Sequence, residues 1–183
     1  MARQAYFQII HKYIDPNSTV YPIYMVHCGL VANKALNIAK RLRLSLASQS
    51  FIEEAAMLHD IGIVRTNTPE IYCYGDLPYL CHLTEGRKIL EAEGLPLHAI
   101  VAETHVGVGL SKEQILAQNL PLPYRDMKPT TVEEEIISYA DLFFSKNPEK
   151  LWRERSIKKV RENVAKRGKE HTAILEDWLK RFR

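Results

Sequence analysis

Cysteine is scarce: the 183 residues hold three, Cys28, Cys73 and Cys81, an odd number with no C-x-x-C spacing. That count excludes a disulfide framework and a cysteine-rich zinc site, and the thiols are expected to be reduced. Long apolar runs are missing too; none approaches the roughly 18 residues that span a bilayer. The first residues, Met1-Ala2-Arg3-Gln4-Ala5-Tyr6, carry no apolar signal-peptide core, so the expected location is the cytoplasm, away from membranes. No stretch alternates with period two for long enough to make a strand, and there is no internal repeat or low-complexity segment. The net charge of +3 hides an asymmetry: residues 149–183 hold twelve Lys/Arg against six Asp/Glu, so this tail carries +6 and the remainder −3. Within it Trp152, Arg153, Arg155, Lys158, Lys159 and Arg161 are interleaved with acids, as on a solvated helix face, which argues against nucleic acid as the partner.

What is there is helical periodicity over most of the chain. At 46% hydrophobic and 26% charged, the composition suits one globular all-α domain over residues 1–183, with a motif-bearing core at about 22–146 and a basic helical extension at about 148–183. A first helix is expected over about residues 2–14, stopped by Asp15-Pro16. A second, over about 22–42, puts Ile23, His27, Leu30, Val31, Ala35, Ile38 and Leu42 on one stripe. A third, at about 47–59, ends near Gly62. The breaker-rich segment that follows, from Thr66 to Pro78, is longer than a compact domain usually needs, and reads either as a lid or as a surface excursion. Further helices are expected at about 80–93, 96–106, 111–118 (where Ser111 and Gln114 fit a capping box), 131–145 and 148–182, the last with a break at Gly168.

Several polar residues fall where apolar ones would be expected. Asp141 shares a helix face with Ile137, Ala140 and Phe144, and a carboxylate there must be paired or bind a cation, because an isolated buried charge costs several kcal/mol. An N-cap or a buried salt bridge is the plainer alternative. His27, taken alone, reads as a hydrogen-bonded core histidine. It is not alone: His59-Asp60 closes the apolar run Ala55-Ala56-Met57-Leu58, and ligands from several helices converging on one core is how bundle metal sites are built. His82 starts a helix, with Gly86 one turn on leaving room on that face. His105 ends another, followed by Gly107 and Gly109, whose backbone N–H groups are expected near the site. For these two, ligation and a structural role both stand. Cys28 and Cys81 adjoin His27 and His82, yet neighbouring helix positions point about 100° apart, so they are expected to pack beside the site. His11, His98 and His171 receive no role.

Met57-Leu58-His59-Asp60-Ile61-Gly62, with His27 before and Tyr139-Ala140-Asp141 after, resembles the HD-domain superfamily of metal-dependent phosphohydrolases in its His-Asp-Ile-Gly variant. The resemblance covers about residues 22–146. It implies a helical bundle with a metal site in its core, one ion held by His27, His59, Asp60 and Asp141, and His82 and His105 at the positions that add a second ion bridged by Asp60. Bacterial symmetrical diadenosine tetraphosphatases and cyclic-dinucleotide phosphodiesterases carry comparable extra histidines. The chain departs from many relatives in having Ile63 where they place a lysine after His-Asp-Ile-Gly; Arg65 lies two residues on. It also lacks the Gly-Tyr-Pro signature of the cyclic-dinucleotide branch.

The implied activity is hydrolysis of a phosphate ester or anhydride on a small phosphorylated substrate, a nucleotide or dinucleotide, using iron, manganese or zinc, with Asp60 central to catalysis. By residue type Arg65, Arg87, Arg125 and Lys128 are candidates for holding phosphate. Two competing readings remain: a di-iron oxygenase of the same superfamily, and a non-enzymatic module binding nucleic acid or a partner.

Overall fold

Apolar stripes recurring at helical spacing leave the chain one way to bury them, helix against helix, and the computed structural model shows that outcome. It describes residues 4–183, with side chains from residue 6 onward. Nine α-helices occur among the described residues: α1 (Gln4–Tyr13), α2 (Val20–Arg41), α3 (Leu46–Leu58), α4 (His82–Ala92), α5 (Pro96–Thr104), α6 (Lys112–Ala117), α7 (Val132–Asp141), α8 (Ile157–Ala165) and α9 (Lys169–Phe182). The all-α expectation holds. Helix α2 pairs most extensively with α3, α4 with α5, and α7 lies against both α2 and α3. Tyr24, Ile52, Leu58, Leu90, Ile136, Ile137 and Trp178 belong to the main core, while Leu83, Leu110, Ile115 and Met127 form a smaller one under the segment around α6.

Local chemistry sets most boundaries. The Ser45 hydroxyl accepts the Ser48 N–H at 3.0 Å and starts α3. Ser111 and Gln114 form the expected capping box. Helix α2 begins two residues before the expected start, because Pro22 sits in its first turn, where a missing N–H forfeits no intrahelical bond.

The segment after α3 is more ordered than an irregular loop. A 3₁₀ turn over Ile61–Arg65 leads to a two-residue strand β1 (Asn67–Thr68), antiparallel to β2 (Cys73–Tyr74) with Asn67 opposite Tyr74. A second 3₁₀ turn, Tyr79–Cys81, delivers the chain into α4.

The expectation that α7 runs to about residue 145 is corrected: it stops at Asp141. Arg155, distant in sequence, explains the stop. Its guanidinium donates to the carbonyls of Leu142 and Phe144, and its backbone N–H to that of Phe143 at 2.8 Å, satisfying groups a longer helix would have used. The continuous helix expected from residue 148 is corrected as well; a 3₁₀ turn at Pro148–Lys150 and an irregular stretch come before α8. The break at Gly168 is as expected. Val160, Val164, Leu175, Trp178 and Phe182 bury the inner faces of α8 and α9, and Phe182 meets Tyr139 of α7 with ring centroids 5.6 Å apart. The basic tail is therefore packed on the helices that carry the site. No described helix is long and apolar enough to cross a membrane.

Candidate metal centre

Four helix ends and one helix middle bring the polar residues together. His27 projects from the middle of α2, His59 caps α3 with Asp60 following, His82 opens α4, His105 caps α5 and Asp141 is the last residue of α7. Three of the imidazoles are oriented alike: Nδ1 of His59, His82 and His105 lies 2.7, 2.7 and 3.0 Å from the carbonyls of Ala56, Tyr79 and Ala102. Each carbonyl three residues back accepts the Nδ1–H, which assigns that proton and turns Nε2 inward.

The inward atoms form two groups sharing one carboxylate. Asp60 Oδ2 lies 3.1 Å from His27 Nε2 and 3.2 Å from His59 Nε2, and Asp141 Oδ1 lies 3.1 and 3.7 Å from the same two nitrogens. Asp60 Oδ1 is 3.5 Å from Nε2 of both His82 and His105, which are 3.4 Å from each other. Such spacings suit donors placed about 2.1 Å from a shared cation.

A divalent ion fits by a second criterion. His59 and Asp60 are fully buried, yet His59 Nε2, Asp60 Oδ1 and both ring nitrogens of His27 make no well-formed hydrogen bond, and Asp60 Oδ2 has the Lys146 ammonium as its close partner. Buried polar atoms are rarely left so, and a cation is what would satisfy imidazole and carboxylate lone pairs together.

The protonation pattern agrees. Burial pushes the Asp60 carboxyl up, but Lys146 and His59 beside it hold it well below the usual range; Asp141 is likewise raised by burial and held well below by contacts with His27 and His59. Burial pushes His82 down to about 3 and lowers His105, so both are neutral, as ligands must be. His59 goes the other way. Burial disfavours its charge, but Asp60 and other acceptors outweigh that and raise it well above the ordinary value.

Lys146, which sequence reasoning missed, is the second positive charge. Its ammonium lies 2.6 Å from Asp60 Oδ2 and 3.0 Å from the Tyr79 hydroxyl, with 13% of its side chain exposed. Burial lowers its pKa, but Asp60, Tyr79 and Asp141 together raise it well above the usual value. The one available signal was a lysine shortly after Asp141. Only the early stop of α7 brings it to Asp60.

A cavity of about 430 Å³ opens from His82, His105 and Asp141. Thr68, Glu70 and Ile71 of the β1–β2 segment border it, so that segment does reach the site. Lys146 and Asn147 line another side, and Asn163, Val164, Arg167 and His171 of the tail form a wall. His171, which received no role from the sequence, is buried, with its ring 3.2 Å from the Gln114 amide.

Of the cations expected at phosphate, none lines this cavity. Arg87 and Arg125 both pair with the buried Glu103, Arg65 is exposed, and Lys128 packs against Gly109. The space beside Gly86 is taken by protein: a Cβ on Gly62 would fall 2.1 Å from the His82 carbonyl oxygen and 2.4 Å from Gly86 N, so the pair lets the 3₁₀ turn after Asp60 cross α4 at backbone contact. Gly107 lines the cavity, whereas the Gly109 N–H is spent on the Val106 carbonyl at 3.0 Å. Cys28 comes within 4.8 Å of donors on His59 and Asp60, but burial pushes its thiol up and keeps it protonated. His98 stands 3.4 Å from Glu54, and His11 bonds Tyr21 near the surface.

A helical bundle with this ordered His/His-Asp/Asp cluster defines a class: the chain belongs to the HD-domain family, whose model matches residues 24–144. Among curated proteins it is 31% identical over 154 residues to an uncharacterized protein of Methanocaldococcus jannaschii, covering 81% of this chain and 79% of that one. It is 33% identical over 91 residues to a tRNA (cytidine(56)-2'-O)-methyltransferase of Picrophilus torridus, 49% of this chain, and 30% identical over 148 residues to the protein of that name in Thermoplasma volcanium, 80% of this chain. The matches span only 23% and 38% of those two longer proteins. Among solved structures, the HD domain of the L. monocytogenes phosphodiesterase PgpH, alone and with cyclic-di-AMP, aligns with a TM-score of 0.55 at 20% identity. The alignments cover 97% and 96% of this chain and 86% and 83% of those chains, a likeness of fold.

Proposed function

We propose that the chain is a metal-dependent phosphohydrolase acting on a nucleotide or dinucleotide. The observation that carries this is the shared carboxylate: Asp60 turns one oxygen to His27 and His59 and the other to His82 and His105, beside a cavity sized for a small ligand. In this reading His27, His59, Asp60 and Asp141 hold one ion, and Asp60, His82 and His105 a second. Bound there, divalent metal supplies a Lewis acid for a phosphoryl oxygen and lowers the pKa of water to near neutrality. The donors suit iron, manganese or zinc. Lys146, aimed at the centre and tied to Tyr79, neutralises charge on the phosphoryl group and takes the part first expected of Arg65, Arg87, Arg125 and Lys128. Leu142, Phe144 and Val164 supply an apolar lining that limits water. The cyclic-di-AMP complex of the PgpH domain supports including cyclic dinucleotides among the substrates tested.

The test is a panel of mononucleotides, dinucleoside polyphosphates, cyclic dinucleotides and a chromogenic phosphodiester, each offered to protein reconstituted with manganese, iron or zinc. Release of phosphate or nucleoside monophosphate is expected. Silence across the panel, with oxygen uptake by the iron-loaded protein, would replace hydrolysis by oxygenase chemistry.

A further inference from the structure

Part of the cavity's polar lining comes from residues beyond the matched family region. Arg167, just past the end of α8, and His171, in the first turns of α9, line the cavity together with the donors His82, His105 and Asp141. Of the three Lys and Arg side chains lining the cavity, Lys146 pairs with Asp60 and in the proposed reading serves the phosphate at the metal donors, and Arg155 donates to the carbonyls of Leu142 and Phe144. The Arg167 guanidinium has no ion-pair or hydrogen-bond partner among the described residues. It lies over Gly107, where a Cβ would come within 3.2 Å of Nη1 and where φ is +67°, a conformation that favours glycine. A side chain at that position would push the guanidinium away from the cavity wall. His171 is buried close by; burial lowers its pKa, with Arg167 and Lys128 adding to that and Glu170 opposing it.

We propose that Arg167, with Asn163 lining the same cavity, forms a subsite for a second phosphate group of the substrate, distinct from the phosphate held at the metal donors. The substrate class is then a molecule with two separated phosphates, such as a nucleoside bisphosphate or a dinucleotide. This inference rests on the phosphohydrolase reading for the first phosphate. A guanidinium offering paired N–H donors is the side chain best matched to phosphate, and an uncommitted one in a cavity loses little by binding it.

The test is equilibrium binding by calorimetry to manganese-loaded protein, comparing adenosine 5′-monophosphate with adenosine 3′,5′-bisphosphate and confirming by chromatography that each ligand survives. Wild type should bind the bisphosphate at least tenfold more tightly. Arg167→Ala and Arg167→Gln should bring the two ligands within about twofold, an effect of the size expected for one charged hydrogen-bonding group. Lys158→Ala removes the same charge from an exposed position outside the cavity and should leave the preference intact. Equal binding by wild type, or a preference that survives both Arg167 variants or falls equally with Lys158→Ala, overturns the subsite. If neither ligand binds wild type, the phosphohydrolase reading falls with it; monophosphate binding without the preference sinks the subsite alone.

Discussion

Both oxygens of Asp60 are engaged, Oδ2 toward His27, His59 and Lys146 and Oδ1 toward His82 and His105. At this scale the prediction is a metal count. Reconstituted with manganese and measured by elemental analysis, wild type is expected to hold two equivalents, His82→Ala and His105→Ala one, and Asp60→Ala fewer than one, each with helix content retained. One equivalent in wild type, unchanged in the two histidine variants, would show that those imidazoles are structural. Lys146 gives a separate expectation. Lys146→Met removes the nearest cation from a buried carboxylate, so the chelated protein should lose about 3 kcal/mol in urea unfolding. Manganese should restore much of it. Equal stability of wild type and variant in chelator would mean that Lys146 does not neutralise Asp60.

Between residue and molecule, the element that matters most is the 3₁₀ turn Ile61–Arg65 crossing α4. Gly62→Ala would set a methyl 2.1 Å from the His82 carbonyl oxygen and 2.4 Å from Gly86 N, and both are backbone atoms that move only if α4 moves. Overpacking of this kind costs on the order of 1–3 kcal/mol. The shift carries His82 with it, so Gly62→Ala is expected to lower the urea midpoint and to release the ion assigned to His82 and His105 before the other. A variant with wild-type stability and full metal content would show that the crossing has slack.

Acid sensitivity belongs to the whole molecule. Burial lowers the pKa of His82 (to about 3), His98, His105 and His171, so below pH 6.5 the unfolded chain takes up protons that these folded imidazoles refuse. Stability therefore falls as pH drops below 6.5, by roughly 1.4 kcal/mol per pH unit for each histidine kept neutral. His59 has the opposite sign: its raised pKa stabilises fully below 6.5 and fades only as pH rises through the folded value, so it adds no slope in the acid window. The chelated protein should have a clearly lower urea midpoint at pH 5 than at pH 6.5. A flat or rising midpoint would contradict the neutral state of these histidines.

The sequence by itself determined the all-α class, most helix positions other than the end of α7 and the start of α8, the break at Gly168 and the ordered set His27, His59, Asp60, His82, His105 and Asp141 as candidates. Those are consequences of periodicity, capping and a short ordered motif, which act over a few residues or along one helix face. The tertiary structure decided what depends on contacts between distant segments. Arg155 ends α7 at Asp141 and thereby turns Lys146 into the centre; Glu103 withdraws Arg87 and Arg125 from the cavity; packing of α9 on α7, with α8 against α9, makes a wall containing Arg167 and His171 out of what reads as a solvated basic tail. A cation's residue type says that it can hold phosphate, but its partner is chosen by the nearest buried carboxylate, and in this chain that choice lies sixteen or more residues away, as with Arg87 and Glu103.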